Sequence, residues 1–203
     1  AKGQIDHMDL SGVLSSEGVV RVIVAQDLPY ENDSSPVAMD EPFLADGKVR
    51  YIGQPIFFVV AQSHNLARRA VQNAVICYRE DNPILTIEDA LSGDSYFEDG
   101  PRIYEKGDAG QAISDAQICL NGSFSIGAQE HFYLEGQAAL AIPSDDVEMV
   151  VHSSTQHPSE VQHKVAQALG VGMHEVRVEV RRMGGGFGGK ESQANSPAIA
   201  CAI

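Results

Sequence analysis

Cysteine is scarce in this chain and never occurs in pairs. Cys77, Cys119 and Cys201 are its three cysteines, far apart and with no C-x-x-C among them, so the sequence holds no iron–sulfur or zinc framework. Cys77 in Val75-Ile76-Cys77-Tyr78 and Cys119 in Ile118-Cys119-Leu120 read as small apolar core residues. The seven histidines show no metal-ligand spacing. Basic residues are also few. Lys and Arg number 14 against 28 Asp and Glu, a net charge of −14, which argues against nucleic acid, since its recognition recruits basic faces. No stretch approaches the roughly 18 apolar residues that span a bilayer. The opening Ala1-Lys2-Gly3-Gln4-Ile5-Asp6 lacks the apolar centre of a secretory signal. Together these absences point to a reduced, cytoplasmic setting with no nucleic-acid or membrane partner.

What is present is a chain of 203 residues, enough for one or two domains with a real core. Val19-Val20-Arg21-Val22-Ile23-Val24 reads as a strand, and 32–42, polar and punctuated by prolines, as a loop. The continuous apolar run Pro55–Ala61 suits a strand buried on both faces. Ser63 is placed to cap a helix whose apolar stripe is Leu66, Ala67, Ala70, Val71 and Ala74, and Val75 to Tyr78 returns as a strand. Gly, Asp, Ser and Pro from about Ser92 to Asp108 read as an interdomain linker. Beyond it the pattern predicts a helix over 109–116 and strands over 118–126, 138–142 and 147–152. A helix from Pro158 to a stop at Gly170 follows, with Val161, Val165, Ala168 and Leu169 inward, and then a strand over 176–182. Ser196-Pro197 reads as the cap and first residue of a last helix.

The most informative stretch is Met183-Gly184-Gly185-Gly186-Phe187-Gly188-Gly189-Lys190-Glu191, with five glycines in six positions after a strand. Glycines reach φ > 0, so successive backbone N–H groups can turn to one side and approach a ligand without a Cβ in the way. Gly184, Gly186 and Gly189 satisfy G-x-G-x-x-G, but the position about 20 residues on, where dinucleotide binding needs an acidic residue, would fall past Ile203. Gly184 and Gly189-Lys190 begin a P-loop pattern, yet Glu191 stands where a Ser or Thr hydroxyl would meet Mg²⁺. A plain flexible linker would not usually carry a bulky Phe and a Lys-Glu pair.

The run Arg181 to Glu191 strongly resembles the cofactor loop of the molybdenum hydroxylases, the xanthine dehydrogenase and aldehyde oxidase family. Gln129-Glu130-His131-Phe132-Tyr133-Leu134-Glu135 and Ser154-Thr155-Gln156 resemble two further signatures of that family, in the right order. Leu44-Ala45-Asp46-Gly47-Lys48-Val49-Arg50-Tyr51-Ile52-Gly53-Gln54-Pro55 resembles its smaller preceding domain. The resemblance implies an α+β chain. Residues 1–92 would form an α/β hammerhead domain, 93–108 a linker, and 109–203 the first part of a mixed α/β molybdopterin-binding domain. The family's catalytic subunit is several times longer, so the chain reads as a truncated fragment.

Such enzymes hydroxylate carbon in electron-poor heterocycles or aldehydes, taking the oxygen from water and passing two electrons to molybdenum. By resemblance, Gly186, Phe187 and Gly188 would bind the molybdenum–molybdopterin cofactor, with the backbone N–H groups of Phe187 and Gly188 against it and Phe187 walling the substrate pocket. Gln156 would donate a side-chain amide hydrogen bond to an oxygen ligand of the metal, and Glu191 would position a purine, which brings xanthine dehydrogenase nearest. An aldehyde or another N-heterocycle is the alternative substrate. The general base, the 2Fe-2S clusters and the FAD would lie on other segments or subunits, so the fragment is expected to bind no cofactor and to be inactive alone. Read without the resemblance, Gln156 is a surface or capping glutamine, Glu191 a solvated loop carboxylate and Phe187 a core residue. His131 and Glu135 lack a third ligand and read as a packed, hydrogen-bonded core element rather than a metal site. Arg181 and Arg182 either bind the pterin phosphate or flank the strand.

Overall fold

The structure, a computed structural model, describes residues 2–97, 100–145 and 149–203. In chain order its regular elements are β1 (Gly3–Asp9), α1 (Ser11–Leu14), β2 (Val19–Val24), β3 (Lys48–Val49), β4 (Phe57–Ala61), α2 (His64–Ala70), β5 (Val75–Glu80), α3 (Ile87–Ser92), α4 (Ala109–Asp115), β6 (Ala139–Pro143), β7 (Met149–Ser153), α5 (Pro158–Leu169), β8 (Val176–Glu179) and α6 (Asn195–Ala202). They fall in two units, one of residues 1–81 with 131–203 and the other Asn82–Glu130.

Local chemistry sets most boundaries. The Ser63 hydroxyl accepts from the Leu66 N–H at 3.3 Å and starts α2, as its sequence predicts. Pro158 fills the first position of α5, and Gly170 ends it with φ 70°, its N–H returned to the last turn. α6 begins one residue before the expected cap, so Ser196 and Pro197 lie inside its first turn, where a missing N–H costs nothing. This short helix is not isolated: Ala198, Ile199 and Ala202 are buried against α5 and β6.

The first unit contains three sheets. β3, β1 and β5 form an antiparallel sheet, β2 and β4 an antiparallel pair, and β6–β7–β8 a mixed sheet. In the mixed sheet β6 runs antiparallel to β7, while β8 runs parallel to it in the register Met149↔Val176 to His152↔Glu179. The strand expected over 147–152 is thus β7, Val147 itself lying outside the described residues. β7 is central in its sheet and buries Met149, Val150 and Val151, while α5 covers the sheet with Val161, Val165 and Ala168. Ile23, Phe43 and Leu44 from the N-terminal segment enter the same core.

Three expectations are corrected. The 55–61 run is not buried on both faces. Among the described residues β4 pairs only with β2, and its residues are half-buried or, at Val60, exposed. No strand forms over 118–126. Ile118, Leu120, Phe124 and Ile126 alternate as a strand would, but among the described residues no neighbouring strand in the Asn82–Glu130 unit offers a ladder, and all four are exposed. Cys77 and Cys119 are exposed rather than core, since β5 is an edge strand and Cys119 lies in that unpaired segment. Along 93–97 and 100–108, the expected linker, no helix or strand occurs.

Candidate functional site

Gln156 and the glycine loop follow neighbouring parallel strands, β7 and β8, with α5 making the crossover between them. Both loops therefore leave the same end of the sheet, at the carboxyl ends of parallel strands, where α/β sheets characteristically place ligands. They meet closely. Oε1 of Gln156 accepts from the Gly188 N–H at 2.9 Å and from the Lys190 N–H at 3.2 Å. In return the Gln156 N–H donates to the Lys190 carbonyl at 2.8 Å. A Cβ on Gly186 would press on Oε1 of Gln156 and stand 2.7 Å from its Cδ, so glycine at 186 is the socket for that amide.

The amide is oriented by this arrangement. Its neighbours are two N–H donors, so the oxygen must face them and the NH₂ group points the other way. That NH₂ group has no partner among the described residues. Gln156 is not a capping glutamine, because α5 has no side-chain cap.

Phe187 is the loop's crest. Its φ is +54°, a left-handed conformation that costs a non-glycine residue roughly 1–2 kcal/mol. The residue is 74% exposed, so it is no part of this chain's core. The Phe187 N–H is unpartnered among the described residues, whereas Gly188, which also has positive φ, gives its N–H to Gln156. Of the two N–H groups expected to face a cofactor, one is therefore engaged internally. Glu191 is exposed at the loop's edge, and its carboxylate makes no hydrogen bond among the described residues.

Beneath the loop lies a network that the sequence did not reveal. Lys190 is fully buried, and its Nζ donates to Ser154 Oγ at 2.6 Å and to Glu135 Oε2 at 2.9 Å, 4.9 Å from the Tyr133 ring centre. Glu135 Oε2 also accepts from the Gly184 N–H and from Ser154 Oγ, each at 2.7 Å. The Gly184 N–H first, then Ser154 and Lys190, hold the Glu135 carboxyl down at about 2. Gln137 Nε2 adds a bond to the Gly189 carbonyl at 2.9 Å. Glu135 is thus hydrogen-bonded as expected, but the pair is not core: the Glu135 side chain is 41% exposed and His131 is exposed. A cleft of about 350 Å³ opens beside it, lined by His152, Ser154, Arg181 and Arg182 among others, but not by Gln156, Phe187 or Glu191.

A second buried cation, Lys164 on α5, meets Asp33 at 2.7 Å, and Ser35 Oγ donates to the same carboxylate at 2.8 Å. Burial raises the Asp33 carboxyl, but the Lys164 and Ser35 bonds outweigh it and the net shift is downward. Lys164 was legible in part: three residues after Val161, it falls on the face of α5 that must turn inward. Lys190 carried no such signal, since the surrounding glycines have no periodicity.

Comparison with known proteins agrees with this architecture. Residues 96–203 match the family described as "Molybdopterin cofactor-binding domain", and residues 1–82 match "Aldehyde oxidase and xanthine dehydrogenase, a/b hammerhead domain". The whole chain is similar to a xanthine dehydrogenase of Drosophila subobscura, at 41% identity over 204 residues. It is 42% identical over 212 residues to a probable aldehyde oxidase 1 of Oryza sativa, covering 97% of this chain. Among solved structures, the aldehyde oxidoreductase of Desulfovibrio gigas superposes with a TM-score of 0.83 at 25% identity, over 99% of this chain and 25% of that one. The chain belongs to the aldehyde oxidase and xanthine dehydrogenase family of molybdopterin-cofactor proteins. It spans about 15% of the length of the curated relatives it matches.

Proposed function

We propose that the chain contributes the Gln156 and glycine-loop wall of a molybdenum–molybdopterin site in an enzyme that hydroxylates purines, hypoxanthine or xanthine, toward urate. The observation that carries this reading is the Gln156 amide. Its oxygen is fixed by two loop N–H groups, which leaves an NH₂ donor of set direction beside the unpartnered Phe187 N–H. The fit is physical: a loop of five glycines, a side-chain NH₂ donor turned away from it and an unpartnered backbone N–H suit an oxygen- and sulfur-rich cofactor. When bound, that cofactor supplies two-electron chemistry, in which a C–H bond is replaced by C–OH with oxygen from water and two protons and two electrons leave.

The chain's own residues then hold and orient. Gln156 Nε2 and the Phe187 N–H would donate to the cofactor, Gly186 would seat the Gln156 amide, Gly188 would let the cofactor approach, and the exposed Phe187 ring would shield the reacting face from water. Glu191 accepts from a purine N–H. The general base, the 2Fe-2S clusters and the FAD belong to other segments or subunits, and the 203 residues alone are proposed to be catalytically silent. The division into 1–92, 93–108 and 109–203 goes with this reading, as does a cytoplasmic location.

A second reading, an aldehyde as substrate, is favoured by the aldehyde-oxidase relatives, which are as similar as the xanthine dehydrogenases. Steady-state kinetics of the intact enzyme and its Glu191→Ala variant at matched molybdenum content separate the two. A hydrogen bond to a charged group contributes about 1.5–3 kcal/mol, so kcat/KM for xanthine should fall roughly ten- to a hundredfold. Aldehyde turnover should fall less. Equal losses on both substrates would remove Glu191 from purine recognition.

A further inference from the structure

Lys190 combines two positions that rarely belong to one residue. Its side chain is wholly buried, and a buried ammonium is tolerated only when paired and hydrogen-bonded. Its backbone, at the same time, forms both halves of the contact with Gln156: the N–H to Oε1 at 3.2 Å and the carbonyl from the Gln156 N–H at 2.8 Å. The same carbonyl takes the Thr155 hydroxyl at 3.1 Å. At the loop's other end, the Gly184 N–H bonds the very carboxylate oxygen that holds the Lys190 ammonium. Wherever the ammonium is anchored, the loop's end and the Gln156 amide must follow.

We propose that Lys190 is a positioning residue. Anchored by Glu135 and Ser154, it fixes its own backbone where the Gln156 carbonyl oxygen is captured, and so sets the direction of the Gln156 NH₂ donor. This rests on the reading that Gln156 faces the cofactor. Without the anchor, the loop's end drifts, Oε1 loses its two donors and the amide is free to rotate away or flip. Neither Lys190 nor Glu135 touches substrate or cofactor in this account. Both act through Gln156.

The test is a double-mutant cycle in the intact, cofactor-loaded enzyme at matched molybdenum content, comparing Lys190→Met, Gln156→Leu and the pair. Methionine keeps the length and loses the charge, and the half-exposed Glu135 keeps its Gly184 and Ser154 donors. Lys190→Met should lower kcat roughly ten- to a hundredfold with KM little changed, as a small misplacement of a positioning group does. In the Gln156→Leu background it should cost almost nothing further, since the group it positions is gone. Deuterium exchange of the loop amides should rise about tenfold or more in Lys190→Met, independently of turnover. Additive losses, or unchanged exchange, would overturn the positioning role and leave the Gln156 reading standing. An unimpaired Gln156→Leu enzyme would overturn both. Should Lys190→Met fail to fold, Glu135→Gln takes its place in the same cycle, with the same expected non-additivity.

Discussion

One carboxylate oxygen of Glu135 joins the two ends of the glycine loop: it accepts from the Gly184 N–H at 2.7 Å and from the Lys190 ammonium at 2.9 Å, 55 residues along the chain from Glu135. The loop is thereby a closed, charge-clamped element rather than a flexible tract. Gly184 itself must lack a side chain, because a Cβ there would lie 2.5 Å from the Glu135 Cβ.

The clamp has a pH dependence of definite sign. Glu135 is held at about 2, below its ordinary 4.5, so it contributes stability above the ordinary value and loses it as pH falls from about 4.5 through about 2. Protection factors for hydrogen exchange at Gly184 and Gly188 should fall across that window ahead of those of residues in β7. In Glu135→Gln the acid-dependent component should vanish.

The glycine socket makes a contrast within the chain. Gly186→Ala would drive a methyl group into the Gln156 amide, and overpacking of this kind costs about 1–3 kcal/mol. Gly110, in the first turn of α4, has only Asp108 Oδ1 at 3.6 Å from its would-be Cβ, so Gly110→Ala should be neutral or stabilising by up to about 1 kcal/mol. Urea denaturation of the two variants reads the difference. A Gly186→Ala protein as stable as Gly110→Ala would refute the socket.

Much of this was legible in the sequence because it is local. Ser63 and Gly170 announce a cap and a stop by their own chemistry, and the apolar alternation of β8 and the run in β7 survive because those strands have partners. The 118–126 segment carries an equally good alternation and forms no strand, since a strand exists only against a neighbour and sequence period does not supply one. Of the site, Gln156 and the loop were legible as a resemblance. The clamp was not, because Glu135, Ser154 and Lys190 come together only through the register of three separate segments.

The Asp33–Lys164 pair ties the N-terminal segment to α5, with Lys164 3% exposed. Removing one partner, as in Lys164→Met, leaves a buried carboxylate unpaired and should cost about 3–5 kcal/mol in urea denaturation. Adding Asp33→Asn should recover part of that loss, because the stranded charge disappears. A double variant no more stable than Lys164→Met alone would contradict this.

Phe187 trades stability for position. With φ at +54° and its ring exposed, Phe187→Gly relieves backbone strain but loosens the unfolded chain, and the two effects nearly cancel. Stability should change by less than about 1 kcal/mol, while turnover by the intact enzyme falls. Thermal denaturation beside kinetics checks both parts.

Gln156 and the glycine loop are proposed as one wall of the cofactor site. The most direct measurement is a crystal structure of the intact, cofactor-loaded protein. Gln156 Nε2 and the Phe187 N–H should lie within hydrogen-bond reach of the cofactor, roughly 2.7–3.2 Å, with Oε1 of Gln156 still bound to the N–H groups of Gly188 and Lys190. A cofactor bound elsewhere, or a Gln156 amide turned away from it and onto solvent, would contradict the claim.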